Sequence, residues 1–129
     1  YEAVLRGVPS VARLRRLTSG MSLDGRRTAP ARVNLVSKHR GAAVGTAKTR
    51  NQSRVQITLT EGRNRQVRRM FKAIGHEVIR LRRIQLGPLR VRGLKPGDHR
   101  ELTPGEVAAL RRATVPCRVV GDFRESRAK

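Results

Sequence analysis

"TEGRNRQVRRMFKAIGHEV", residues 60–78, carries four arginines within seven positions, then a short apolar segment and a glycine. Val67, Met70, Phe71 and Ile74 recur at i, i+3, i+4 and i+7, the spacing of one helix stripe. At roughly 100° per residue, Arg65, Arg68, Arg69 and Lys72 share the opposite face. The spacing predicts a helix over 63–74 that packs with one side and displays cations on the other. Gly75 stands where a helix ends, at the residue just past the C-cap. The basic face has two readings. It is a solvated surface that aids solubility, or it meets phosphate together with the amides of the helix N-terminus.

The flanking segments alternate apolar and polar residues. "YEAVLRG" (1–7) reads as a strand ending in glycine. In 9–20, Val11, Leu14 and Leu17 sit at helical spacing, Ser10 caps and Gly20 terminates. Asp24-Gly25 marks a turn. Beyond Pro30 a strand places Val33 and Leu35 on one face. Residues 40–53 are small and polar and read as a loop or hairpin tip reaching into solvent or RNA. In 53–62, Val55, Ile57 and Leu59 face one way and Gln56 and Thr58 the other. Residues 76–94 read as one or two strands bent near Gly87-Pro88. Thr103, Pro104 and Glu106 have the cap, N1 and N3 spacing of a capping box, and Val107 and Leu110 are expected to be buried. The tail 114–129 is expected to hold a short strand and to be disordered beyond it. Strands and helices mix without a regular βαβ period, so the expected class is α+β.

Composition bounds what such a chain can do. Its 129 residues suffice for one compact domain. Only Tyr1, Phe71 and Phe123 are aromatic, so the core rests on Val, Leu, Ile and Ala. Thirty Lys and Arg face nine Asp and Glu, a formal net charge of +21. Such a balance repels itself and implies a polyanionic partner, RNA or DNA. No apolar run approaches a spanning helix, which argues against a membrane. The scarcity of aromatics argues against a base-stacking sheet. Cys117 stands alone, which fits a reducing intracellular compartment. His39, His76 and His99 show no metal-ligand spacing. The chain begins at Tyr1 in strand-like sequence, and we read it as a fragment or processed product.

Carboxylate chemistry has little support. Asp24 reads as a turn former, Glu61 as a partner of the helix N-terminus or of an arginine, and Asp98 and Glu101 as solvated. No paired carboxylates and no phosphate-binding loop stand out.

With those residues read, "LTEGRNRQVRRMFKAIGHEVIRLRRIQLGPL" followed by "LKPGDHRELTPGE" resembles the C-terminal part of the catalytic domain of ribosomal RNA pseudouridine synthases of the RsuA/RluB type. "YEAVLRGVPS" is similar to the family's tyrosine strand, and "SLDGRRTAPARV" to its DG-T-PA-V loop. The likeness runs from Tyr1 to about Leu110. It implies a mixed, mainly antiparallel sheet with flanking helices, portion 1–113 belonging to the catalytic domain and 114–129 forming the tail. It implies isomerisation of uridine to pseudouridine in ribosomal RNA by a catalytic aspartate on a flipped-out base, with no cofactor and no metal. Tyr1 matches the tyrosine that packs on the uracil, Arg68 the arginine that orients the aspartate, and Leu81 the residue lining the uracil pocket. Arg63, Asn64, Arg65, Arg69, Lys72, Arg82 and Arg83 are the expected RNA contacts.

The chain contains no G-R-L-D, the motif that carries the family's nucleophile, so no catalytic residue is assigned and the chain alone is expected to be inactive. Three readings stand open. The chain is part of an active synthase, with the missing N-terminal half as its partner. It is a synthase-like protein that serves as a structural RNA-binding component of a ribosome beside ribosomal proteins. Or it is a generic basic nucleic-acid binder. The resemblance places it inside a cell, in the bacterial cytoplasm or in a chloroplast or mitochondrion.

Overall fold

Period-two alternation in three segments supplies the centre of the main sheet of the computed structural model, which describes residues 1–40, 51–114 and 123–125. In chain order the elements begin with β1 (Glu2–Arg6), α1 (Val11–Thr18), β2 (Ser22–Leu23), β3 (Arg26–Arg27), β4 (Arg32–Arg40) and β5 (Asn51–Thr58). They continue with α2 (Gln66–Ala73), β6 (Val78–Arg82), β7 (Gln85–Leu86), β8 (Leu89–Arg90), α3 (Pro104–Ala113) and β9 (Phe123–Glu125). The five-stranded sheet has the order β6-β1-β5-β4-β9. All neighbours are antiparallel except β4 and β9. The fold is α+β with a mixed, mainly antiparallel sheet, as the sequence led us to expect.

One face of this sheet is the core. Ala3 and Leu5 of β1, Val33 and Leu35 of β4, and Val55 and Ile57 of β5 are all buried. Leu14 and Leu17 of α1 and Val67, Met70, Phe71 and Ile74 from α2 and its C-cap join them in one cluster. Phe71 is the largest fully buried side chain, and truncating such a residue to Ala typically costs about 3–5 kcal/mol. Two bulges interrupt the pairing. Leu35 faces Val55 while Ser37 faces Arg54, so Val36 is extra in β4. Val4 faces Arg80 while Leu5 faces Val78, so Ile79 is extra in β6. An extra residue bends its strand and re-aims the side chains beside it.

Turn chemistry holds the connections. Ser10 caps α1 by accepting from the Arg13 N–H at 3.3 Å. Gly20 follows that helix with φ +83°, and a Cβ there would lie 2.5 Å from the Thr28 carbonyl oxygen, so glycine is required. Asp24 and Gly25 join β2 to β3 with φ of 51° and 73°, the doubly positive pattern of a two-residue type I′ hairpin.

The structure differs from the sequence reading at several places. The basic helix starts at Gln66 rather than at 63, because Arg65 adopts φ 48° as its N-cap. Arg40 and residues 51–53 belong to strands rather than to a loop, since β4 and β5 pair as far as Arg40 and Asn51; the rest of that expected tip, 41–50, lies outside the described residues. The chain leaves the main sheet after Arg82, and Gly87-Pro88, where a bend was expected, form the turn between β7 and β8. Val11 is 40% exposed although it shares helical spacing with Leu14 and Leu17. In the tail, Phe123–Glu125 pair with β4 as a fifth strand; the other tail residues from 115 onward, and with them the expected disorder, lie outside the described residues.

The chain divides into two units. Tyr1–Arg82 with β9 form the first, and a second lies within Arg83–Arg118. In the second, Pro96 and Gly97 make a turn closed by the Asp98 N–H donating to the Lys95 carbonyl at 3.0 Å. The capping box of α3 is complete: Thr103 Oγ1 accepts from the Glu106 N–H, and the Glu106 carboxylate accepts from the Thr103 N–H. No residue of α3 is buried, contrary to the expectation for Val107 and Leu110, which are half-buried. A unit so small has too little volume to enclose them.

Candidate nucleic-acid interface and active-site rim

The entry to α2 has no side-chain cap of its own. A side-chain network instead orders the segment that leads into it. Gln66 Oε1 accepts from the Arg63 N–H at 3.0 Å, and Gln66 Nε2 donates to Glu61 Oε1 at 2.7 Å. Glu61 also accepts from the Ala29 N–H at 3.0 Å and pairs with Arg63 at 3.3 Å. Burial pushes the Glu61 carboxyl up, but the Ala29 and Gln66 hydrogen bonds and the Arg63 charge outweigh it and hold it below the usual range. Gln66 is buried, a polar residue in a packed helix, and only this network explains it.

The arginines around this entry divide sharply in their engagement. Arg63 donates to the Arg27 carbonyl at 2.6 Å and to the Arg26 carbonyl at 3.2 Å, so its fork clamps strand β3. Arg69 pairs with Asp24 across the hairpin turn and donates to the Asn64 carbonyl at 3.3 Å. Arg68 is half-buried and donates through Nη1 to the Val78 carbonyl at 3.0 Å. Among the described residues it has no carboxylate partner. Asn64, Arg65 and Lys72 are exposed. Lys72 lies in the last turn of α2, where a cation suits the helix dipole.

Arg65, Arg68 and Lys72 line one pocket of about 510 Å³ with Gly75, His76, Glu77 and Val78. Glu77 is already paired with Arg6 at 2.8 Å, so the pocket is cationic on balance. His76 is buried within its wall. Arg13 Nη1 lies 3.3 Å from His76 Nε2, and His76 Nδ1 lies 3.0 Å from the Arg6 carbonyl. The sequence reading noted His76 only as lacking metal-ligand spacing. Its contacts join residues 63 and 70 positions apart, which no local pattern announces.

Tyr1 and Leu81 do not line this pocket. Both are half-buried against the core cluster, on the helix-covered face of the sheet. Tyr1 continues β1, exchanging two backbone hydrogen bonds with Ile57. Leu81 stands opposite Ala3 on the neighbouring strand. The tyrosine strand and β6 therefore lie side by side, and Arg68 is tied to β6 through Val78. Arg82 ends β6 and is exposed; Arg83 lies in the second unit. Among the described residues no three of His, Cys, Asp and Glu come together in a way that could hold a metal ion.

No family model matches the chain. Individual proteins do. It is 49% identical over 111 residues to the ribosomal large subunit pseudouridine synthase B of Bacillus subtilis, an alignment that covers 86% of this chain and 42% of that protein. It is 34% identical over 107 residues to the ribosomal large subunit pseudouridine synthase E of Vibrio vulnificus, covering 80% of this chain and 46% of that protein. A crystal structure of a pseudouridylate synthase superposes with a TM-score of 0.64 at 26% identity, covering 84% of this chain and 44% of that one. The chain thus spans less than half the length of these relatives. Likeness in sequence and in fold agree: the chain belongs to the pseudouridine synthases, as part of a domain of the RsuA/RluB type.

Proposed function

We propose that the chain belongs to an enzyme that binds ribosomal RNA and isomerises uridine to pseudouridine, and that it supplies part of the uracil pocket and the cation that orients a carboxylate. The observation that carries this is Arg68. It is half-buried, steadied by the Val78 carbonyl, and without a carboxylate partner among the described residues. A guanidinium in that setting favours an ionised carboxylate beside it and fixes its orientation through a two-pronged hydrogen bond. Tyr1 and Leu81 are proposed to contact the target base. Arg65 and Lys72, with Asn64, Arg82 and Arg83, are proposed RNA contacts, while Arg63 and Arg69 serve by holding strand β3 and its turn against α2. The isomerisation needs no cofactor in this reading. Residues 1–113 are proposed as one portion of the catalytic domain.

Among the described residues no helix is long and apolar enough to cross a membrane. The relatives are bacterial, which supports the bacterial cytoplasm as the setting. The test is to incubate the full-length protein that contains these residues with unmodified ribosomal RNA and map pseudouridine. Modified positions that disappear in Arg68→Ala support the proposal. RNA that is bound but left unmodified would leave a structural RNA-binding role in its place.

A further inference from the structure

The sheet of the first unit has a second face, opposite to α1 and α2. Register places Arg80, Val4, Arg54 and Ser37 in one row across four strands of this face. The row sits beside both bulges, at Ile79 and Val36. Ile79 is 43% exposed, although it is a large aliphatic residue in a sheet. A cavity of about 350 Å³ lies over the row, with Val4 and Ile79, Arg54 and Arg80, and His39 and Gln52 in its lining.

Arg54 and Arg80 differ from the arginines near α2. Both are exposed, and among the described residues neither side chain forms a hydrogen bond or ion pair. They stand on the strands either side of β1, so their backbones are about 10 Å apart at two strand spacings. Two like charges facing across a valine repel each other. The acids closest in the pattern are Glu2, one row away, and Glu77, which is bound to Arg6. Among the described residues nothing compensates the pair, and guanidinium forks match phosphate oxygens.

We propose that this open face is a second RNA contact, with Arg54 and Arg80 holding phosphates on either side of a nucleotide laid over Val4 and Ile79. Gln52 and His39 supply hydrogen-bonding groups at the end of the cavity. The inference rests on the RNA-binding reading above but concerns the face of the sheet away from Arg65, Arg68 and Lys72. An RNA long enough to touch both would be held across β1 and β6 from two sides.

The test measures binding of a short fluorescein-labelled single-stranded RNA to the full-length protein by anisotropy across a salt series. Arg54→Gln with Arg80→Gln is expected to weaken binding several-fold and to lower the salt slope by about 1.4, two contacts at about 0.7 each. Both side chains are exposed, so equal thermal midpoints will verify that the fold is kept. Arg65→Gln with Lys72→Gln serves as the second variant. An unchanged slope in the open-face variant, alongside a reduced slope in the second, overturns this inference and leaves the RNA-binding reading intact. Absence of RNA binding by the unsubstituted protein overturns both. Labelled poly-glutamate bound as tightly as RNA, and lost equally in the open-face variant, would assign the face to an acidic protein and overturn the inference.

Discussion

Arg13 and His76 meet across 63 residues, with Nη1 of the arginine 3.3 Å from Nε2 of the histidine. A guanidinium only donates, so Nε2 accepts and the Nδ1–H donates to the Arg6 carbonyl. One ring thus ties α1 to β1 from the turn that follows α2. Gly7 faces the ring so closely that a Cβ there would lie 3.3 Å from Nδ1. Removing the imidazole leaves a partly buried carbonyl without its donor and opens a gap beneath α1. His76→Ala is expected to lower unfolding free energy by about 2 kcal/mol. Urea denaturation followed by circular dichroism checks this, and a loss well under 1 kcal/mol would mean that the ring is not a tie.

Glu61 gathers three donors at the entry to α2. Glu61→Ala is expected to cost about 1–3 kcal/mol, because the Ala29 N–H and the Gln66 amide lose their acceptor together. Since the native carboxyl is held below its ordinary value, its contribution is present above that ordinary value and declines as pH falls below it. A denaturation series on wild type and Glu61→Gln will read this out: the difference between them should shrink on acidification, and a constant difference would contradict the network.

Arg68 bears on chemistry more than on folding. Arg68→Ala gives up one hydrogen bond to the Val78 carbonyl, worth about 1 kcal/mol. If the arginine orients a carboxylate in the reaction, kcat of the full-length enzyme should fall on the order of 10²-fold or more. Arg68→Lys keeps the charge without the planar fork and should recover only part of the rate. Single-turnover pseudouridine formation measures both, and equal rates in all three proteins would remove Arg68 from the mechanism.

In the second unit, Glu106 meets Arg100 through two contacts, at 2.7 and 2.9 Å. The Arg100 hydrogen bond, and then the Thr103 N–H, lower its pKa from 4.5 to about 2. A depressed carboxylate stabilises the folded form above the ordinary value and ceases to do so as pH falls through the folded one. The start of α3 should therefore loosen between about pH 4.5 and about pH 2. Side-chain carboxyl chemical shifts of Glu106 and exchange protection of its amide follow the transition. A midpoint near 4.5 would show that the capping box does not hold in solution.

Much of the frame was legible in local pattern. The stripe Val67, Met70, Phe71 and Ile74 is buried as its period required, and Thr103-Pro104-Glu106 closes the capping box that its spacing announced. Alternation in 1–7, in the strand beyond Pro30 and in 53–62 yields three strands with Ala3, Leu5, Val33, Leu35, Val55 and Ile57 inward. Less legible was where these elements begin. Arg65 was assigned to the helix face because the 3.6 period runs through it, yet it takes a left-handed conformation as the N-cap. Val107 and Leu110 carried a helical pattern but found no core to enter.

By itself, the sequence determined the periodicities, the caps, the excess of positive charge and the family, because each of these is a local or additive property. It also concentrated arginine around α2. Only the tertiary structure decided which arginine side chains are engaged within the described fold, around α2 and on the sheet alike. Arg63 and Arg69 are claimed by a carbonyl 36 residues away and a carboxylate 45 residues away, whereas Arg54 and Arg80 find nothing to bind among the described residues. The physical reason is range. A helix stripe repeats within a few residues, but a hydrogen bond holds only within a few tenths of an ångström, a distance set by how distant segments pack.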